Sequence, residues 1–338
     1  MKSKLVHSMF ILIGCIFALI MFSTNGQTVV TGDCDVCHGL FPGLIDENVS
    51  NQQKQYVLTN ILCVNCHSNT GRDTIKILAG SRIPVVYNTT SPTRMLAGGN
   101  FFYTTKISGD EKGHNIEGIA PMDSRVNGFP PGYKRSSDLS GIGYSHNKPL
   151  TCAGSNGCHG NRNIEKPFDA IRGTHHAVDK PLDGSTIAKS YRYLKNNDRE
   201  KGITGFEDDE WGQNSTLQKH NEYSSMIDSF CESCHGLFHS EDNKKEFSPW
   251  FRHPTGIVLP QRGEYAYYTT YNPDAPVGRI QVPLTPGDHV RPGTDTVMCL
   301  SCHRAHAGPY EAGLRWDYDN IFAGEEGKDG CVICHTGK

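Results

Sequence analysis

Hydrophobic side chains are scarce in this chain of 338 residues. They make up 36% of it even with tyrosine included, and tryptophan occurs only three times. Glycine and proline are plentiful instead, with 36 and 18 residues. Such a composition argues against a large apolar core and predicts many turns and few long elements. The chain therefore needs something other than its own side chains to pack around.

An excess of charge of either sign is also absent. The 33 lysines and arginines nearly balance the 36 aspartates and glutamates, and the net charge is −3. Nothing in this balance points to nucleic acid or to an anionic membrane surface as a partner. We therefore expect no nucleic-acid partner.

Long apolar runs are limited to the amino terminus, where Met9 to Phe22 follows Lys2 and Lys4. The run is too short to favour a permanent membrane span, and polar residues come after it. Residues 1–26 are therefore predicted to be a secretory signal peptide, with no membrane span after cleavage. A lipoprotein signal ending at Cys15 is the alternative, although apolar residues follow this cysteine where a polar tether is expected. Both interpretations place the mature chain in the periplasm or outside the cell.

Cysteine is the residue that is present in excess. Ten of the 13 cysteines form five Cys-x-x-Cys-His motifs, at 34–38, 63–67, 231–235, 299–303 and 331–335. A zinc ribbon or a thioredoxin-like redox pair needs no histidine directly after each cysteine pair. Covalent attachment of haem c needs all three residues, because two thiols form thioethers and the histidine becomes the proximal iron ligand. The motifs therefore predict a multihaem cytochrome c.

A stretched version of the motif reads "CAGSNGCH", with Cys152 and Cys158 separated by five residues and followed by His159. Two interpretations remain open: a sixth haem site, or a small Cys152–Cys158 disulfide, which an oxidising compartment permits. The adjacent histidine favours the haem. So do the two glycines of the loop, which let extra residues bulge out at low steric cost. We expect six haem c groups, or five if the two thiols form a disulfide.

We number the motifs 1 to 6 in chain order, with the stretched one as motif 3. The expected thioether ligands to haem are Cys34, Cys37, Cys63, Cys66, Cys152, Cys158, Cys231, Cys234, Cys299, Cys302, Cys331 and Cys334. The expected proximal iron ligands are His38, His67, His159, His235, His303 and His335.

Each haem iron in such a protein takes a second axial ligand, and bis-histidine ligation fits an electron carrier. The 16 histidines, less His7 and the six proximal ones, leave nine. The distal candidates are His114, His146, His175, His176, His220, His239, His253 and His306, with His289 as the weakest of the nine. Because His239 and His306 closely follow proximal histidines, each is expected to bind a neighbouring haem.

Apolar spacing predicts helices over 50–62 and 222–230, each leading into a motif. Short strands are predicted over 83–88, 100–107 and 265–271. A polar stretch around residues 195–221 indicates a division of the mature chain. We predict an N-terminal haem region over 27–200, with motifs 1 to 3, and a C-terminal haem region over 201–338, with motifs 4 to 6.

From about residue 94 onward the chain resembles the secreted multihaem c-type cytochromes with doubled Cys-x-x-Cys-His motifs that serve in extracellular electron transfer. The resemblance is carried by the stretches "LAGGNFFYT…KGHNI", "LTCAGSNGCHG…GTHH", "HNEY…FCESCHGLFH", "SPWFRHP" and "VMCLSCHRAHAGPY…LRWDY". It implies low-spin, bis-histidine haems in a closely stacked chain. It also implies a mostly irregular fold with short helices and few short β-strands, organised around the haems, and it favours a sixth haem at motif 3. Some relatives polymerise into conducting filaments, with a distal histidine from the next subunit.

The expected function is that of a secreted hexahaem electron carrier without catalytic residues of its own. Its expected partners are other redox cytochromes, together with further copies of the chain if it forms filaments. A multihaem reductase, for example of nitrogen oxyanions, is the alternative, and it would need one iron with an open site. A structural or metal-storage protein that binds zinc through the thiols is a third class, which the red colour of the purified protein would exclude.

Overall fold

The computed structural model describes residues 63–126, 128–133, 144–176, 181–195, 201–238, 253–321 and 330–336. The predicted signal peptide, motif 1 with Cys34, Cys37 and His38, the predicted helix over 50–62 and His239 lie outside these residues.

Helices in the described residues are short. Four are α-helices: α1 (Val64–His67), α2 (Pro167–Ala170), α3 (Ile227–His235) and α4 (Cys299–Cys302). Three of the four coincide with haem motifs, namely motifs 2, 4 and 5. The 3-10 helices are Phe101–Thr105, Gly109–Lys112, Ser124–Val126, Tyr191–Tyr193, Gly236–Phe238, Gly263–Tyr267, Glu311–Gly313, Tyr318–Asn320 and Gly330–Ile333. None of the described helices is long and apolar enough to cross a bilayer.

The strands are equally short. They are β1 (Ser68–Asn69), β2 (Ile75–Leu78), β3 (Ser81–Pro84), β4 (Tyr87–Asn88), β5 (Gly205–Phe206), β6 (Glu222–Ser224), β7 (Ile257–Val258), β8 (Gly278–Arg279) and β9 (Thr296–Val297). Strand β1 pairs with β4 in parallel, and β2 with β3 in antiparallel register. The other five form one mixed sheet in the order β5-β6-β8-β9-β7.

The apolar core is divided into several small clusters. One, which joins the five-stranded sheet to α3 and α4, contains Tyr191, Ile203, Tyr223, Ile227 and Met298. Another is made largely of residues 259–297 together with Ile333 from motif 6. The predicted fold class is thus confirmed: the chain is mostly irregular, with short helices and few short strands.

The predicted helix over 222–230 is wrong in its first part. Residues Glu222–Ser224 form strand β6, and helix α3 begins only at Ile227 and continues through motif 4 to His235. The cause is tertiary, because the buried Glu222 carboxylate accepts hydrogen bonds from Arg279 Nε (2.9 Å) and from the backbone N–H of Gly287 (2.8 Å). These bonds hold β6 beside β8, where Tyr223 is in register with Gly278.

The predicted strands are partly wrong as well. The stretch 83–88 is divided between β3 and β4, while 100–107 contains the 3-10 helix Phe101–Thr105. Asn100 starts that helix, since its side-chain oxygen accepts a hydrogen bond from Phe102 N at 3.0 Å. The stretch 265–271 overlaps the 3-10 helix Gly263–Tyr267 instead of forming a strand.

The boundary predicted near residue 200 is crossed by backbone hydrogen bonds. Tyr191 N donates to Ile203 O at 2.7 Å, and Ile203 N donates back to Leu194 O at 2.8 Å. Leu182 forms a bridge with Gly205 of β5. The division into two haem regions stays a prediction.

Candidate haem sites

Motifs 2 and 6, each with two residues between its cysteines, share one closed turn. In motif 2 the carbonyl of Cys63 accepts hydrogen bonds from the backbone N–H groups of Cys66 (3.2 Å) and His67 (2.9 Å). In motif 6 the carbonyl of Cys331 accepts the same two bonds, from Cys334 (3.3 Å) and His335 (2.9 Å). The turn brings both thiols and the imidazole together, as attachment of one haem requires.

The stretched motif closes in the same way. The carbonyl of Cys152 accepts hydrogen bonds from Cys158 N at 3.2 Å and from His159 N at 3.0 Å. The three additional residues therefore leave the closing geometry unchanged, and the surplus chain is taken up within the loop 153–157. The two thiols are free and form no disulfide with each other.

Two glycines and an asparagine build the inserted loop. Gly154 has a φ of +85°, and a Cβ at this position would lie 2.7 Å from Glu165 O, so only glycine fits without strain. A Cβ on Gly157 would lie 2.6 Å from Ala153 N. The Asn156 side chain, which is buried, donates to Ser145 O at 2.8 Å and anchors the loop to the preceding segment.

We expect the double variant Cys152→Ser, Cys158→Ser to carry one covalent haem fewer than the parent protein, because its stretched motif has no thiol to form a thioether. Intact mass spectrometry of the mature proteins, expressed in a host with haem-attachment machinery, measures the difference. The variant Cys63→Ser, Cys66→Ser is the matched control and should also lose one haem. An unchanged haem count in the first variant, with one haem lost in the control, would contradict a haem at motif 3.

In each of the five described proximal histidines, Nδ1 lies within hydrogen-bond distance of an acceptor oxygen. Four donate to backbone carbonyls: His67 to Pro84 (2.8 Å), His159 to Arg192 (2.7 Å), His235 to Pro131 (2.6 Å) and His303 to Ala312 (2.7 Å). The fifth, His335, contacts the Glu264 carboxylate at 2.9 Å. Such a bond fixes the tautomer, orients the ring and leaves the Nε2 lone pair for a metal ion.

In motifs 3 and 5, the carbonyl that accepts the hydrogen bond from the proximal histidine lies in the same type of backbone turn. The acceptor residues Arg192 and Ala312 both have left-handed φ values, 51° and 53°. The residue after each proximal histidine then donates its N–H one position further on, Gly160 to Tyr193 O and Arg304 to Gly313 O, at 2.8 Å in both cases. Non-glycine residues rarely adopt this conformation. Its occurrence at both motifs therefore indicates that the turn is needed to present a carbonyl to the proximal histidine.

Burial keeps several of these imidazoles neutral. Desolvation lowers the pKa of His67, His159 and His303 below the usual range for histidine. The pKa of His175 falls to about 4, through burial first and the neighbouring His67 second. A neutral ring with Nδ1–H engaged is the form of histidine that binds iron.

Four imidazole pairs face each other at nearly one distance. The ring centres are 6.2 Å apart for His67 and His175, 6.3 Å for His159 and His306, 6.1 Å for His235 and His114, and 6.0 Å for His335 and His253. Two imidazoles bound on opposite sides of one metal ion, with metal–nitrogen bonds of about 2.0 Å, place their ring centres about 6 Å apart. Each pair joins one proximal histidine with one distal candidate, so the spacing fits an axially ligated haem iron.

Two of the other described candidates, His146 and His289, face no described proximal histidine. His146 stacks on Phe129 with ring centres 4.5 Å apart, and His176 is exposed beside His175. His289 is exposed and lies 3.2 Å from Asp288. Conversely, His303 of motif 5 is opposed by no second imidazole within the part of the chain that the structure describes.

His220 is held by protein groups on both ring nitrogens. Nδ1 lies 2.9 Å from Thr216 O and Nε2 lies 3.3 Å from Glu222 Oε1, while the ring stacks on Tyr271 at 3.8 Å. The Glu222 carboxylate in turn pairs with Arg279. This arrangement is typical of a buried structural histidine.

Buried guanidinium nitrogens of three arginines show whether the interior fits haem. Arg162 Nε, Arg304 Nε and Arg315 Nη2 have no acceptor among the described residues. Burial lowers the pKa of Arg304 to about 10, and Arg304 and Arg315 both line a cavity of about 380 Å³. Haem propionates are carboxylates and accept such bonds readily. The donor set therefore fits haem.

The described motifs form a continuous spatial series in chain order. The Cys63 thiol of motif 2 lies beside the Cys152 thiol of motif 3, and this neighbour lowers the pKa of Cys63. Arg162, which is only 3% exposed, lies near Cys158 of motif 3 and donates to Cys234 Sγ of motif 4 at 3.4 Å. The neighbouring motifs 2, 3 and 4 are thus in contact through side chains.

The series continues to the last motif. Asp228 of α3, the helix that contains motif 4, accepts a hydrogen bond from Cys299 N of motif 5 at 2.7 Å. Burial, and next the nearby Cys331, raises the pKa of Cys302 to about 11, and the pKa of Cys334 rises to about 12 by burial and then by Cys302. Motifs 5 and 6 are therefore also neighbours.

A family model described as the doubled CXXCH motif matches residues 291–338, which contain motifs 5 and 6. The resemblance to c-type cytochromes with doubled CXXCH motifs is thereby confirmed. No curated protein matches the chain.

Two solved structures are similar to the chain. The outer membrane cytochrome S filament from Geobacter sulfurreducens is 18% identical, with 76% of this chain and 74% of that chain covered and a TM-score of 0.41. The OmcS nanowires from Geobacter sulfurreducens, solved by cryo-EM, are 18% identical, with 75% and 73% covered and a TM-score of 0.48.

Proposed function

We propose that the chain is a secreted hexahaem c-type cytochrome that conducts electrons along a row of bis-histidine haems. The observation that carries this proposal is the set of four proximal–distal imidazole pairs with ring centres 6.0–6.3 Å apart. Two imidazoles on one iron leave no site for a substrate, which suits a carrier of single electrons.

The protein's own residues keep the sites rigid and close together. Bound haem supplies one-electron chemistry between ferric and ferrous iron. Carbonyl acceptors on Nδ1 hold the proximal rings in place, so ligation changes little between the two oxidation states. The segment 303–307 links three motifs. It contains His303 of motif 5 and His306, whose ring faces His159 of motif 3. The carbonyl of His306 also accepts a hydrogen bond from the backbone N–H of His114 at 3.0 Å, and the His114 ring faces His235 of motif 4.

We also propose a location and partners for the protein. The predicted signal peptide supports export to the periplasm or the cell exterior, where other redox cytochromes would deliver or accept electrons. Filament assembly from copies of the chain is proposed on the likeness to the family alone.

A second candidate function, a reductase with one open haem, has one observation in its favour. His303 is the proximal residue that faces no imidazole within the described ranges. A distal ligand for motif 5 would then come from outside those ranges or be exchangeable. The conduit is preferred, because the other four described motifs are each closed by a pair.

Optical and EPR spectroscopy of the purified protein, followed by titration of the reduced form with carbon monoxide, decides between the two functions. A conduit should give low-spin signals throughout and bind little carbon monoxide. A high-spin signal together with turnover of a nitrogen oxyanion would overturn the conduit and establish the reductase.

A further inference from the structure

Motif 6 differs from the other described motifs in what its proximal histidine contacts. Four proximal histidines donate to neutral backbone carbonyls, but His335 Nδ1 lies 2.9 Å from Glu264 Oε1. The His335 side chain is 22% exposed and that of Glu264 15%, so water competes little for this bond.

The residues that follow His335 and Glu264 both stabilise this contact. The hydroxyl of Thr336, directly after His335, donates to Glu264 O at 2.7 Å. The Tyr265 ring meets the His335 ring edge-on, with centres 5.1 Å apart. Glu264 belongs to the 3-10 helix Gly263–Tyr267, so a short rigid element holds its carboxylate in place.

A carboxylate affects a ligating imidazole more than a carbonyl does. It carries a full negative charge and draws the Nδ1 proton towards itself, which makes the imidazole a stronger donor to the metal ion. A stronger donor stabilises ferric iron more than ferrous iron, and the reduction potential falls.

We infer that Glu264 is a tuning residue that lowers the reduction potential of the haem at motif 6 through His335. The inference rests on the proposed function, since it requires haem at this motif. The spacing of the motifs does not reveal this role of Glu264. The haem at motif 6 would then have a lower reduction potential than the haems whose proximal histidines contact carbonyls.

The variant Glu264→Gln tests the inference, because the amide oxygen can still accept the bond while the charge is removed. We expect the ferric-to-ferrous balance of one haem to shift about tenfold towards the reduced form, which corresponds to about 59 mV for one electron.

Redox titration followed by EPR can isolate this haem. The His335 and His253 rings are 89° apart, against 47–59° in the other pairs, and perpendicular ligands give the most anisotropic low-spin signal.

Glu311→Gln is the matched control. Glu311 is an exposed carboxylate on the 3-10 helix Glu311–Gly313, which supplies the Ala312 carbonyl to His303, and its removal should leave every potential unchanged. An unchanged or lowered potential for the anisotropic haem in Glu264→Gln would overturn the inference. Absence of low-spin haem from the parent protein would instead overturn the proposed function.

Discussion

Replacing His306 with alanine is expected to convert one six-coordinate, low-spin haem into a five-coordinate, high-spin haem that binds carbon monoxide. The His306 ring faces His159 of motif 3 at 6.3 Å and packs on Phe101 with ring centres 4.7 Å apart. Burial lowers its pKa well below the usual range, so it is neutral and able to bind iron. The other three distal imidazoles each face the proximal ring of a different motif.

The effect should be confined to one haem. The backbone of His306 is held independently of its ring, since His306 N donates to Gly98 O at 2.7 Å and its carbonyl accepts from His114 N at 3.0 Å. These bonds survive truncation of the side chain. The pair of His114 with His235 therefore remains in place, and motif 4 stays low-spin.

Carbon monoxide titration of the reduced variant measures this change as one additional ligand bound per chain relative to the parent. His289→Ala is the control, because that side chain is 74% exposed and faces no proximal histidine. It should behave like the parent. If the His306→Ala protein remains low-spin and binds no additional carbon monoxide, His306 is not the distal ligand of motif 3.

The residues that carry haem chemistry could be read from the sequence, but their pairing could not. Adjacent cysteines and histidines form a local pattern, and the two nearby histidines of "CHRAH" indicate that His306 serves another motif. The choice of His159 as its partner depends on how distant segments cross. Histidine count and context indicate eight distal candidates, and the structure brings four of them, His114, His175, His253 and His306, opposite a proximal ring.

The acceptors that orient the proximal rings could not be predicted from the sequence. A backbone carbonyl can come from any residue, so Pro84, Pro131, Arg192 and Ala312 carry no signal of their own. Glu264 could have been noticed only as a carboxylate beside aromatic residues. The predicted helix over 222–230 failed for a related reason, because the contact of Glu222 with Arg279, far along the chain, decides the local backbone.

The second large effect concerns stability, and we expect it for Gly99→Ala. Gly99 has a φ of +89°, and an added Cβ would lie 1.9 Å from Ala307 O. Asn100 N donates to that same carbonyl at 2.9 Å, so it cannot move away without breaking the bond. The left-handed backbone costs about 1–2 kcal/mol for a non-glycine residue and overpacking about 1–3 kcal/mol more. The expected loss in the free energy of unfolding is about 2–5 kcal/mol.

Gly173→Ala separates the two contributions. Gly173 has a nearly equal φ of +82°, but a Cβ there would meet nothing within 4 Å. It should lose only the backbone contribution of about 1–2 kcal/mol. Guanidinium denaturation followed by near-UV circular dichroism compares both variants with the parent, and intact mass verifies that each keeps its full number of haems. Equal losses in the two variants would mean that the contact between Gly99 and Ala307, which aligns His306 with motif 3, is looser than the structure indicates.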